Sequence, residues 1–194
     1  MAVTMTTSSI TGREAATYTQ MWTDVEAYSD DAGPGARYLE TFGQYATPGA
    51  RVLDAGCGHG KVAVSLSEAG YLVTCCDLTD AGLVPAARAL TFIPASLWRG
   101  VSGTWDWGWC IDVLEHLPTQ FTMLAVARLL EVCRDGVFLV ISLMPDEMGV
   151  WVGRPLHLTT QPYGWWKDSL EEIGEVVDAR DLMSHALFVV RRRW

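Results

Sequence analysis

Hydrophobic positions fall into short apolar runs separated by stretches in which apolar residues recur every three or four positions. The runs are Val52-Leu53 and residues 71–76, 107–111 and 137–142; the first two and the last carry the Val, Ile, Leu and Cys content of strands buried on two faces. Between them, residues 61–68 set Val62, Leu66 and Ala69 on one face and residues 120–133 continue in the same style, which predicts two helices. Strands that alternate with helices imply parallel pairing through right-handed crossovers, hence a three-layer α/β sandwich. The ending breaks the rhythm. Residues 162–173 predict a helix with Trp166, Leu170 and Ile173 on one stripe, and residues 176–179 and 186–190 read as strands whose short connection allows only an antiparallel pair.

Upstream, residues 13–28 and 36–45 read as two helical pieces parted by a Gly/Pro turn at 30–35, an N-terminal cap spanning 13–48 behind a flexible tail at 1–12. Between Asp77 and Trp105, Pro85 and Pro94 interrupt a segment with little helical periodicity, so a short or irregular crossover is expected there. No internal repeat or low-complexity linker divides the chain, and residues 1–194 read as one domain.

Composition narrows the partners. With 14 Lys and Arg against 23 Asp and Glu, the formal charge of −9 disfavours a duplex-binding surface, because such affinity comes largely from neutralising phosphates. No apolar run approaches the ~18 residues of a membrane span, and residues 1–10 lack a basic and apolar leader pattern. The five cysteines, at 57, 75, 76, 110 and 133, form no C-x-x-C pair and mostly sit inside apolar runs, as expected of reduced, buried thiols in a cytoplasmic protein.

The most informative segment is Val52-Leu53-Asp54-Ala55-Gly56-Cys57-Gly58-His59-Gly60-Lys61, a strand entering glycines and then a helix. Backbone N–H groups there can approach a ligand without obstruction by Cβ atoms. Lys61 occupies the position of the last glycine in a dinucleotide-binding G-x-G-x-x-G, and Val62 replaces the magnesium-binding hydroxyl of a P-loop. The run Asp54-Ala55-Gly56-Cys57-Gly58-His59-Gly60 resembles motif I of the class I S-adenosylmethionine-dependent methyltransferases, and Asp77, 21 residues after Gly56, stands where a carboxylate can accept ribose hydroxyls. A second segment, Trp105-Asp106-Trp107 leading into Asp112-Val113-Leu114-Glu115-His116-Leu117-Pro118, resembles the fourth-strand signature of the same family. A weaker match is the His157 loop, running through Tyr163, Trp165 and Trp166.

The resemblance implies a Rossmann-like, mostly parallel seven-stranded sheet with a C-terminal antiparallel hairpin, and methyl transfer from S-adenosylmethionine to an O or N atom of a small molecule, releasing S-adenosylhomocysteine. It further implies a cofactor site made by Asp54, Gly56, Cys57, Gly58, Gly60, Asp77 and Leu78, with Ser96, Leu97 and Trp98 near the adenine, and Asp112 and Val113 near the methionine. Tyr18 and Trp22, four apart on one helix face, are candidates for a lid. Catalytic candidates are Asp112, His116 and His157, with Glu115 as a further possible base. No set of His, Asp and Glu shows metal-ligand spacing along the chain, so metal-independent chemistry is expected. Nine tryptophans suit an aromatic-walled acceptor pocket, Trp165 among them, while Trp166 belongs to the core stripe. Two alternatives stay open: a methyltransferase for nucleic acid or a modified nucleobase, and a non-catalytic S-adenosylmethionine-binding regulator. The acceptor and the oligomeric state are not encoded in any motif.

Overall fold

A computed structural model describes residues 7–25 and 34–193. Seven strands form one sheet: β1 (Arg51–Ala55), β2 (Leu72–Asp77), β3 (Thr91–Pro94), β4 (Trp105–Ile111), β5 (Cys133–Ser142), β6 (Glu175–Asp181) and β7 (His185–Arg191), in the order β3-β2-β1-β4-β5-β7-β6. Pairings among β1 to β5 are parallel, whereas β7 runs antiparallel to both β5 and β6. The expected mostly parallel sheet with a terminal hairpin is therefore present. Helices are α1 (Thr7–Asp24), α2 (Leu39–Phe42), α3 (Lys61–Glu68), α4 (Thr119–Val132) and α5 (Tyr163–Ile173).

Strand β3 follows no recognisable pattern in the sequence because it is four residues long and ends on Pro94. It pairs only with β2, at the sheet edge, where a proline without an N–H is tolerated. The irregular crossover expected around it consists of single 3₁₀ turns at Ala87–Ala89 and Leu97–Arg99. At the N-terminus the helix begins at Thr7, so residues 7–12 are helical rather than tail. The second expected helical piece is a 3₁₀ turn, Pro34–Tyr38, running into the four-residue α2. Residues 1–6 of the expected tail, 26–28 of the first helical piece and 30–33 of the Gly/Pro turn lie outside the described residues.

The sheet is buried on two sides, as its apolar strands require. On one side Phe42, Tyr71, Trp107, Trp109 and Phe138 interlock, with Trp109 stacked on Phe138 at 5.3 Å between ring centres. On the other, α4 and α5 press Ala125, Leu129, Trp166 and Leu170 against Cys110, Leu139 and Phe188. Strand periodicity would put Trp105 with Trp107 and Trp109, but the register shifts between Trp105 and Trp107, and Trp105 joins the α4 side beside Trp98. Where the order turns at β1, with β2 on one flank and β4 on the other, the connections leave in opposite directions and open a crevice at the carboxyl ends of the strands.

Candidate functional site

The glycine loop lies at that crevice, and its shape follows from close approach. Gly56 has φ +84°, and a Cβ there would fall 2.4 Å from the Val113 side chain; Gly58 has φ +53°, and its Cβ would fall 2.8 Å from the Trp22 ring. Any other residue would meet both a disfavoured left-handed backbone and an occupied space. The loop is braced from the neighbouring strand: the amides of Gly56 and Cys57 donate to the carbonyl of Cys76 at 2.7 and 3.1 Å. Asp77 completes the brace. Its Oδ2 accepts from the Gly58 amide at 2.9 Å and its Oδ1 from the Leu78 amide at 2.6 Å. The strand-ending acid predicted to meet a ribose is thus already oriented by the loop, and each carboxylate oxygen retains acceptor capacity toward the cavity.

The cavity above the loop encloses about 620 Å³, part of it open to solvent. Its floor is Gly56, Gly58, Asp77 and Leu78; Ala95, Leu97 and Trp98 form one side; Asp112, Val113, His116 and Leu117 form the other. Helix α1 roofs it with Glu14, Tyr18 and Trp22, spaced four apart on one face. Trp22 reaches the glycine loop and the His59 ring, at 5.7 Å, while Tyr18 meets His116 edge-on at 5.8 Å. The roof is anchored beyond the cavity: the buried Glu14 takes Arg154 at 2.5 Å, and Met21 and Val25 pack on Leu156 of the loop after β5. Glu14 and Arg154 escaped sequence reasoning. The signal for Glu14 was its place on the Tyr18–Trp22 stripe; Arg154 carries none, since only folding brings it to Glu14.

Of the other expected contacts, Asp54, Cys57, Gly60 and Ser96 do not line this cavity, and neither does the catalytic candidate His157. Gly60 is needed for packing, since a Cβ there would meet Ala87 at 2.5 Å, and Cys57 packs with Cys75 and Ala63. Ser96 is buried with its hydroxyl unpaired among the described residues and borders a shallower groove beside Pro94 and Arg99. Trp98 does line the cavity, held by stacking on Phe121 at 5.4 Å. Tyr163 and Trp165 are elsewhere: Tyr163 stacks on Phe188 at 5.4 Å and Trp165 abuts Trp166.

Electrostatics sort the candidate acids and bases. Burial, with Asp77 nearby, raises the Asp54 carboxyl to about 7, and its Oδ2 has no hydrogen-bond partner among the described residues. Burial also lifts Asp77, against which its bonds from main-chain amides pull. Glu115, fully buried, is pushed well above the carboxylate range by burial and by Asp112. Burial and the adjacent His157 lower His116 to about 3, so its ring is neutral at pH 7 and far too weak a base to hold an acceptor's proton there. Asp112 sits at the end of β4 with φ +53°, its amide donating to the Val140 carbonyl and its Oδ1 lying 3.5 Å from His185 Nε2. Glu115 and His116 do meet a second histidine in space: His157 joins them, with their possible ligand atoms within 4.8 Å of one another. Linear spacing hides this, because His157 arrives on the loop after β5.

No protein-family model matches the chain. A magnesium-protoporphyrin O-methyltransferase of Synechocystis sp. is 30% identical over 115 residues, 54% of this chain and 49% of the relative. A ubiquinone biosynthesis O-methyltransferase of Xanthomonas campestris pv. campestris is 36% identical over 99 residues, 44% of this chain and 41% of the relative. The matched segments thus span less than half the length of these relatives. Among solved structures, the 1,6-didemethyltoxoflavin-N1-methyltransferase of Burkholderia thailandensis, holding 1,6-didemethyltoxoflavin and S-adenosylhomocysteine, superposes with TM-score 0.75 at 16% identity, covering 100% of this chain and 93% of that one. The sheet order is the fold of that structure, and the matched segments are similar to those of S-adenosylmethionine-dependent methyltransferases.

Proposed function

We propose that the protein binds S-adenosylmethionine in the α1-roofed cavity and methylates an oxygen or nitrogen of a small, largely planar molecule. The observation that carries this reading is the Asp77 carboxylate, fixed by the Gly58 and Leu78 amides at the floor of a cavity whose glycine loop leaves room for a ligand's backbone approach. The residues fit such a group: Asp77 retains acceptor capacity for two vicinal hydroxyls, Leu78, Leu97 and Trp98 supply apolar surface for a purine, and the unpaired Oδ2 of Asp54 underlies the loop. When bound, the cofactor supplies a methyl group activated by a sulfonium; the acceptor's lone pair forms the new bond, the S–C bond's electrons stay on sulfur, and any acceptor proton is released.

The chain's own contribution is alignment and exclusion of water. Tyr18 and Trp22 close the roof, and Asp112, Val113 and His116 form the wall beside which an acceptor would lie. The magnesium-protoporphyrin and 1,6-didemethyltoxoflavin in the names of two similar proteins support this class over nucleic acid, as does the charge of −9. Five free, buried cysteines support a reducing, cytoplasmic setting.

Calorimetry with S-adenosylhomocysteine, followed by a labelled-methyl screen of cell extract, tests the proposal. Tight binding that falls in Asp77→Ala by about 1.5–3 kcal/mol per hydrogen bond lost is expected. Unchanged affinity in Asp77→Ala would remove the assignment. Binding without turnover against any acceptor would favour the non-catalytic regulator.

A further inference from the structure

Glu115 and His116 leave the end of β4 in a 3₁₀ turn, and the loop after β5 brings His157 against them, the two imidazole rings edge to face at 4.6 Å between centres. Each ring points Nδ1 at a main-chain carbonyl, His116 at that of Leu156 (3.2 Å) and His157 at that of Met144 (2.7 Å). A carbonyl only accepts, so each Nδ1 donates to it, and Nε2 is the atom through which each ring can take a ligand. Metal-binding histidines are oriented by this kind of hydrogen bond. The third member gives an independent sign. Glu115 is fully buried, its Oε1 accepts from the Ser142 amide at 3.1 Å, and its Oε2 has no hydrogen-bond partner among the described residues. A buried carboxyl left so either keeps its proton or is answered by a cation that displaces it. Two further carboxylates act on the cluster, Asp112 on Glu115 and Asp146 on the two histidines.

We propose that Glu115, His116 and His157 form a binding site for one divalent transition-metal ion on the acceptor side of the cavity. Two imidazoles and one carboxylate suit Zn²⁺, Co²⁺ or Mn²⁺ better than Mg²⁺ or Ca²⁺, which prefer all-oxygen shells. Bonds of about 2.0–2.2 Å need the ligand atoms roughly 3.3 Å apart. From a spread of at most 4.8 Å, that requires closure by up to about 1.5 Å, which the partly exposed His157 can supply by moving on its loop. Three protein ligands leave coordination positions open, as in catalytic rather than structural sites. His116 also lines the cavity, so an ion held here faces the acceptor, where it orients a hydroxyl and lowers its pKa. This role rests on the methyltransferase reading; the site itself does not.

The test uses the full chain, stripped with chelator, dialysed and titrated with Co²⁺. About one ion per chain should bind, with visible d–d absorption, displaced by Zn²⁺ and not by Mg²⁺. His157→Ala and Glu115→Gln should each weaken it by more than about tenfold while circular dichroism and S-adenosylhomocysteine affinity stay at wild-type levels. No uptake by the folded protein, equal uptake by the two variants, equal displacement by Mg²⁺, or a near-ultraviolet thiolate band placing the ion on cysteine would each overturn the proposal. Co²⁺ uptake by a protein that fails to bind S-adenosylhomocysteine would leave the site standing and remove the methyltransferase reading instead.

Discussion

At the residue scale, the site depends on atoms that cannot be exchanged. Gly58→Val adds a side chain where a Cβ alone would come within 2.8 Å of Trp22, at φ +53°. The variant should therefore fold with a displaced loop or roof and lose S-adenosylhomocysteine binding by calorimetry. Asp54 leads to a prediction about pH. Its carboxyl titrates near 7 in the folded chain because it is buried, against about 3.9 when unfolded. Between those values the unfolded state has released a proton that the folded state keeps. Stability should fall as pH rises from about 4 and level off above about 7, by up to about 4 kcal/mol from this group. His116 acts with the opposite sign, since its ring, lowered to about 3, resists the proton that the unfolded chain takes up below about 6.5. Asp54→Asn isolates the first effect: its Tm relative to wild type should rise between pH 5 and pH 8. A constant difference across that range would show that Asp54 is ionised throughout.

Among elements, α1 is the part whose anchoring the sequence concealed most. It is largely polar, buries only Glu14 and Met21, and is held to the loop after β5 by the Glu14–Arg154 pair and the Met21, Val25 and Leu156 cluster. Arg154→Ala leaves the Glu14 carboxylate, 2% exposed, with only the half-exposed Arg13 guanidinium at 3.2 Å among the described residues, which should cost up to about 3 kcal/mol of stability in denaturant titration. Glu14→Gln in the same chain should restore much of that loss, a coupling that a double-mutant cycle measures. Because α1 carries Tyr18 and Trp22, Arg154→Ala should also speed cofactor dissociation in stopped-flow traces, although Arg154 itself is not part of the cavity lining. An unaltered dissociation rate would mean that the apolar cluster alone holds the roof.

For the whole molecule, charge sets the expectation. A net charge of −9 gives little long-range attraction for polyanions, and a small acceptor releases few counterions. Once an acceptor is found, turnover should vary less than about threefold between 50 and 300 mM salt and should resist competition by polynucleotides. Steep loss with salt would point to a nucleic-acid acceptor. Among the described residues no helix is long and apolar enough to cross a membrane.

Local chemistry alone determined a good deal of this protein. Strands buried on two faces must be continuously apolar, so β1, β2 and β5 were readable; a loop that needs left-handed backbone must be glycine, so Gly56 and Gly58 stood out, and with them Asp77. Helix α3 was legible to its ends, Lys61 and Glu68, because a glycine precedes it and its apolar stripe is regular. Other features depend on pairing between distant segments. Strand β3 is too short to carry a period and exists because β2 offers it an edge. Trp105 changes sides through a register shift, Glu14 finds Arg154 across 140 residues, and His157 joins Glu115 and His116 only when the loop after β5 folds back over β4. Periodicity records which face of an element is buried; it holds no information about which distant side chain arrives there, and that was decided by the tertiary structure.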